Sequence, residues 1–487
     1  MLEMIFSSRL HFVNTIADNA CDDYDGILAI VRDKPAMQSL PFGKILSQRF
    51  NKAVEKLLNE GVCSMLPNPK GTHIILKSPV FERDLYPWLS ELSGLLKKVE
   101  IAKHRRFALL LDKTDMKTAD AVVRAVLAHT ENMPNFKRAG KKCQIKIDII
   151  GDFSESDFLQ VLAAHQGNAL ARYLTLLPTN YLTPKLYIEK VEKLAQLQNW
   201  QCEIFTRENL SKMGAGAFSA VARASDGAAI IKLRYEAKVP EAKLLTLVGK
   251  GVCFDTGGVS LKPAKYMYGM NDDMMGSAVA LGSFLALTQQ KVPCHIECYL
   301  AVTENNIDKE AFLPNEVISA LNGTTVEIVD TDAEGRLALA DTLVLAGSAK
   351  PDILIDYATL TGAAIRALGS EYCAIFTNRY DWQNQLVKYG CASAEKVWPF
   401  PMDQHYLDAI KSEIADLKQC NVTGNADHIL AAKFLEQFVD KEMRWLHVDL
   451  ASCRHAGGLG GVPSEISGVG VWFTCALVED YLLPNAF

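Results

Sequence analysis

Most of the usual catalytic signatures are missing from the chain. It has no C-x-x-C pair, no H-E-x-x-H run, no G-x-S-x-G elbow and no Walker A sequence. These absences argue against a zinc knuckle, a thioredoxin-type site, a zincin, a serine hydrolase and a P-loop nucleotide hydrolase. The twelve cysteines are scattered. The closest two, Cys294 and Cys298, fall in an apolar strand-like run, so free buried thiols are expected. No apolar run approaches the ~18 residues that span a bilayer. Met1 to Val13 lacks the basic start and continuous apolar core of a signal peptide. A soluble, cytoplasmic protein is expected. A formal net charge of -6 gives no global field for nucleic acid or a membrane surface. Only local basic clusters, Lys137-Arg138, Lys141-Lys142 and Lys103 to Arg106, leave nucleic-acid contact open. Internal repeats and low-complexity tracts are absent too.

What is present is ordinary globular sequence. The 487 residues suggest two to four domains at ~150 residues each, and 49% hydrophobic with 22% charged residues is typical of a packed core with a solvated surface. In the first third, strand-like runs (26–31, 73–76, 107–111, 145–150) alternate with helix-like ones (45–58, 119–129), which argues for an α/β domain. Residues 158–176 read as a long helix. It stops at Leu177-Pro178-Thr179-Asn180-Tyr181-Leu182-Thr183-Pro184, where Thr183 suits the N-cap and Pro184 the first turn of the next helix. The expected organisation is a smaller N-terminal α/β domain over 1–155, a linker helix over 156–175, and a larger α/β domain with a central mixed sheet over 176–487. Gly214-Ala215-Gly216 lacks the third glycine and the flanking elements of a phosphate loop, and reads as an ordinary loop.

Chemistry concentrates in three runs of the larger domain. The densest is Val329-Asp330-Thr331-Asp332-Ala333-Glu334-Gly335-Arg336-Leu337, between a strand-like 324–329 and a helix-like 337–349. In an extended segment Asp332 and Glu334 point the same way. Two carboxylates aimed at one place repel unless a positive charge lies between them, and a divalent metal with hard oxygen ligands answers that need. A polar turn capping the next helix answers the pattern equally well. The second run, Gly249-Lys250-Gly251-Val252-Cys253-Phe254-Asp255-Thr256-Gly257-Gly258 to Lys262-Pro263, follows a strand over 244–248 that is expected to end in Gly-Lys-Gly. Its glycines permit sharp turns or close approach to a ligand; a hairpin with solvated lysines is the alternative. In the third run, Met267 to Gly276, Asp272 and Asp273 precede a helix and could cap it.

Taken together, and in this order, the three runs resemble the leucyl (cytosol) aminopeptidases, the M17 metallopeptidases. Thr331-Asp332-Ala333-Glu334-Gly335-Arg336-Leu337 is highly specific to that family. Supporting matches run from Asn180-Tyr181-Leu182-Thr183-Pro184 through Ala358-Thr359-Leu360-Thr361-Gly362-Ala363 to His447-Val448-Asp449. The resemblance implies two divalent metal ions (Mn, Zn or Mg) on Lys250, Asp255, Asp273, Asp332 and Glu334, with Asp255 and Glu334 bridging. Lys262 and Arg336 fall on the catalytic positions, and a bicarbonate on Arg336 is implied as the proton relay. Met270, Thr359, Gly362 and Ala451 match positions lining the first side-chain pocket, which suits leucine or another aliphatic residue. The resemblance further implies removal of N-terminal residues from short peptides, a homohexamer, and a macro-like N-terminal domain used in assembly or positioning. Asp330, Met275, Asn305 to Lys309 and Asn315-Glu316 depart from the family's usual residues. The five histidines of this region, His295, His405, His428, His447 and His455, read as structural or surface groups. A two-metal phosphoesterase is the rival enzyme class, with Lys262 and Arg336 as its phosphate clamps.

Overall fold

A computed structural model of the chain describes residues 9–16, 18–50, 61–66, 68, 70–79, 85–138, 144–451 and 454–482. Two compact units make it up: residues 2–169 with 456–467, and 170–455 with 468–487. Among the described residues no helix is long and apolar enough to cross a membrane.

The first unit is built on a six-stranded sheet in the order β1-β6-β5-β2-β4-β3. Its strands are β1 (Arg9–Val13), β2 (Gly26–Ile30), β3 (Val62–Met65), β4 (His73–Lys77), β5 (Arg106–Leu110) and β6 (Lys146–Ile150). All pair in parallel except β3, which runs antiparallel along the edge. Every residue of β2 is buried, as expected of a parallel strand covered on both faces. Helix α1 (Gly43–Phe50) begins the helix expected over 45–58, whose remainder lies outside the described residues. Helices α2 (Leu85–Lys98) and α3 (Met116–Thr130) pack on each other. Of the basic clusters, Lys137 and Arg138 are exposed, and Lys141 and Lys142 lie outside the described residues. The segment 456–467, far away in sequence, belongs to this unit; no local pattern announces that.

Helix α4 (Leu159–Thr175) is followed by α5 (Pro184–Gln198), which Thr183 caps by accepting a hydrogen bond from the Leu186 amide. The second unit carries an eight-stranded sheet in the order β15-β14-β17-β13-β9-β10-β8-β7. Its strands are β7 (Gln201–Thr206), β8 (Ala229–Tyr235), β9 (Leu244–Asp255), β10 (His295–Asn305), β13 (Ile353–Ala358), β14 (Cys373–Thr377), β15 (Val397–Pro399) and β17 (Arg444–Asp449). The four central strands β10, β9, β13 and β17 are parallel, and antiparallel neighbours flank them. The sheet is therefore mixed, as expected. A separate small sheet joins β11 (Val317–Ser319), β12 (Thr325–Glu327) and β16 (Leu417–Lys418).

Helices α6 (Met275–Gln289) and α7 (Glu334–Gly347) pack against the central strands. Both are buried almost all round, the signature of helices enclosed by further layers; α10 (Val471–Leu482) packs outside α6, and α9 (Asp427–Glu436) outside α7. A Cβ at Gly249 would stand 2.4 Å from the Ser277 Cα, so glycine there lets α6 approach the sheet.

Two local expectations give way. The strand begun at Leu244 does not end at Gly-Lys-Gly but runs 12 residues to Asp255, because β10 continues to pair with it. The acidic stretch is not extended: β12 stops at Glu327, Thr331–Ala333 forms a 3₁₀ turn, and α7 starts at Glu334.

Candidate metal centre

The carboxyl ends of parallel strands are where an α/β sheet places its ligands, and the candidate residues converge there. Asp255 ends β9 and pairs in register with Asn305 at the end of β10. Thr359 follows β13, whose last residue, Ala358, pairs with Asp449 at the end of β17. Lys250 projects from within β9 toward α7: a Cβ at Gly335 would lie 2.6 Å from its Nζ. A side chain at that position would push the lysine end from its place beside Glu334. The 3₁₀ turn and the first turn of α7 supply Asp332, Glu334 and Arg336.

Asp255, Asp273 and Glu334 are buried, and each offers an oxygen within 4.8 Å of the others. The Lys250 ammonium sits 2.8 Å from Asp273 and 2.8 Å from Glu334, while Lys262 lies 2.8 Å from Asp255 and also contacts Asp332. Each ammonium thus bridges a carboxylate pair. Four carboxylates against two ammonium groups leave an excess of two negative charges.

The protonation equilibria register this excess. Burial, then Asp255, pushes Asp332 up to about 7. Burial raises Asp273 and Glu334 as well, aided by their carboxylate neighbours. Burial works against the Lys250 and Lys262 ammonium forms, yet the surrounding carboxylates outweigh it and hold both above the usual lysine range. Asp273 Oδ2 and Glu334 Oε2 are buried with no hydrogen-bond partner. Clustered hard carboxylate oxygens, two of them without a partner, are what a divalent cation coordinates, so the donor set fits metal.

Several residues to which the sequence assigns no role support the site. Asn305 donates to Asp255 Oδ1 (2.8 Å) and to the Thr331 carbonyl (3.0 Å), tying the second run to the first. Gln419, fully buried, accepts from the Val329 and Asp330 amides through Oε1 (3.1 Å each) and donates to the Ala333 carbonyl (2.9 Å). It therefore grips both ends of the acidic turn. Asp449 accepts from the Leu360 amide and the Thr361 hydroxyl. Strand-end position signals Asn305 and Asp449; nothing local signals Gln419. Asp330 acquires a simple role: its Oδ1 accepts from the Asp332 amide at 2.9 Å and caps the 3₁₀ turn. Met275 is core.

The residues expected to line a side-chain pocket are placed differently from one another. Met270 sits half-buried in a 3₁₀ turn, Ala451 is half-buried and Gly362 is exposed at the start of α8 (Gly362–Leu368). Thr359 is part of the carboxylate cluster: its hydroxyl donates to Asp273 (2.7 Å) and its carbonyl accepts from Lys250 (3.0 Å). Arg336, 2% exposed, donates through Nη1 to the Gln419 carbonyl (3.1 Å) and through Nη2 to Asp427 (2.8 Å). His447 is core, its Nδ1 2.6 Å from the Asp356 carboxylate; His405 is exposed.

Residues 169–474 match the profile of the cytosol aminopeptidase family, catalytic domain. A probable cytosol aminopeptidase of Syntrophotalea carbinolica is 41% identical over 317 residues, which is 64% of this chain and 63% of that protein. One of Prochlorococcus marinus subsp. pastoris is 38% identical over 351 residues, 71% of each. With the Syntrophotalea relative, then, the match spans under two thirds of the relative's length. A mutant of tomato leucine aminopeptidase superposes with a TM-score of 0.81 at 28% identity, covering 96% of both chains. The bottromycin maturation enzyme BotP in complex with Mn does so with a TM-score of 0.81 at 26% identity, covering 94% of this chain and 99% of that one.

Proposed function

The chain belongs to the cytosol aminopeptidase family, and from that premise we propose that it is a two-metal aminopeptidase removing leucine or another aliphatic residue from the N-terminus of short peptides. The observation that carries the proposal is the buried cluster of Asp255, Asp273 and Glu334, with its excess negative charge and unpartnered oxygens.

Asp255, Asp273, Asp332, Glu334 and Lys250 would hold the two divalent ions, Mn, Zn or Mg, since carboxylates with one amine accept all three. When bound, such a pair supplies a hydroxide nucleophile near neutral pH and Lewis-acid polarisation of the scissile carbonyl. The remaining work belongs to the chain. Lys250, whose ammonium the neighbouring carboxylates favour, would ligate only as a neutral amine, the form that cations beside it would favour. Lys262, which contacts Asp255 and Asp332, would be released from these carboxylates where they serve as ligands, and its ammonium would oppose charge developing on the carbonyl oxygen. Asn305, Gln419 and Thr359 hold the ligand-bearing segments in register. Met270, Thr359, Gly362 and Ala451 flank the first side chain of the substrate. The assembly is a homohexamer, the N-terminal unit (1–155, joined through 156–175) serves positioning or assembly, and the protein works in the cytoplasm.

A bicarbonate on Arg336 does not fit these surroundings. The guanidinium is already neutralised by Asp427 at 2.8 Å, and a second anion there would meet that carboxylate, so no step is drawn through it.

The rival phosphoesterase reading is separated by assaying leucine p-nitroanilide beside p-nitrophenyl phosphate with Mn²⁺ present. Amide cleavage without phosphatase activity is expected; phosphatase activity without amide cleavage overturns the proposal.

A further inference from the structure

The mismatch at Arg336 carries its own conclusion. A buried guanidinium is costly unless an anion neutralises it. Nη2 donates to Asp427 Oδ1 at 2.8 Å in an ion pair, and Nη1 donates to the Gln419 carbonyl at 3.1 Å. Asp427 stands at the first turn of α9, where the helix end also favours its negative charge. Fork-like recognition of a carbonate or carboxylate needs two N–H groups side by side. Each terminal nitrogen keeps a second N–H and Nε is buried without a partner, but an anion bound through these groups would lie beside the Asp427 carboxylate, 2.8 Å from Nη2.

We infer that Asp427 is the resident counter-ion of Arg336 and fills the place of an external carbonate-like anion, so that turnover in this chain is independent of bicarbonate. The functional part of this statement rests on the aminopeptidase reading; the binding part does not. A second monoanion would meet a guanidinium already neutralised and the repulsion of the Asp427 carboxylate beside it. Asp427 acts through Arg336 and is a positioning residue.

The test uses the full chain loaded with Zn²⁺, in buffer freed of carbon dioxide, titrated with sodium bicarbonate in a calorimeter. Asp427→Asn should bind bicarbonate at least about tenfold more tightly than wild type, because a like charge at hydrogen-bond range has gone. Arg336→Met in the same background should abolish that gain, which separates it from any binding at the ions. Asp427→Glu should behave as wild type, and it keeps the test usable if Asp427→Asn fails to fold. In kinetics, wild-type kcat should not respond to bicarbonate, whereas Asp427→Asn should be slow without it and recover with it. Equal bicarbonate affinity in wild type and Asp427→Asn, or wild-type turnover that falls on removing bicarbonate and returns with it, overturns the inference. Absence of peptide hydrolysis in every sample refutes the aminopeptidase reading instead and leaves the calorimetric result standing.

Discussion

Replacing Gln419 with methionine asks whether the acidic turn is held or merely happens to lie where it does. The side chain keeps its length and its buried position but loses every polar contact. Three hydrogen bonds disappear, to the amides of Val329 and Asp330 and to the carbonyl of Ala333. The three backbone partners are half-buried, so water reaches them in part, and a loss near the lower bound of about 1 kcal/mol for each unsatisfied group applies. The total is about 3 kcal/mol. The carbonyl that accepts from Arg336 is backbone and survives. Because the gripped turn carries Asp332 and leads into Glu334, part of this loss should appear as weaker metal binding rather than only as lower stability. Urea unfolding with and without saturating Mn²⁺ separates the two: the stabilisation conferred by metal should shrink in Gln419→Met. A variant destabilised by about 3 kcal/mol with an unchanged metal increment would refute the claim that Gln419 positions the ligands.

Other expectations follow from the same geometry. Glu334→Gln removes a carboxylate that faces both Asp273 and Lys250, and should abolish metal occupancy by elemental analysis together with activity; full activity in this variant would contradict the bimetallic assignment. Lys262→Ala should keep both ions and lose turnover by about 10²–10³-fold, the usual worth of one group opposing an oxyanion, with KM little changed. Asp332, pushed up to about 7 in the metal-free protein, binds protons more tightly folded than unfolded. Its contribution therefore favours the metal-free fold at acid pH and turns unfavourable as pH rises from about 4 toward 7. Metal should accordingly stabilise the protein more at pH 8 than at pH 5, and an equal increment at both would count against Asp332 as a ligand.

How much of this the sequence discloses depends on the range of the signal. Apolar runs such as Gly26–Ile30 and Ile353–Ala358 mark buried parallel strands because local composition decides them. The order of the ligand residues marks the centre because Asp332, Glu334 and Arg336 are neighbours in sequence. Local pattern misleads where pairing decides: β9 reaches Asp255 only because β10 accompanies it, and the acidic turn is a 3₁₀ turn rather than a strand. Contacts between distant segments are silent in sequence. Gln419 lies 86 residues from Ala333, and Asp427 lies 91 from Arg336. Neither has a local motif, so their grip on the site emerges only from the fold.

The central claim is that these carboxylates and Lys250 hold a catalytic metal pair. It is tested most directly by chelating the purified chain, titrating Mn²⁺ or Zn²⁺ back, and following bound metal and leucine p-nitroanilide hydrolysis on the same samples. Two ions per chain, with activity lost on chelation and regained as the sites fill, is the predicted result. Amide hydrolysis that persists undiminished in metal-free protein would contradict it.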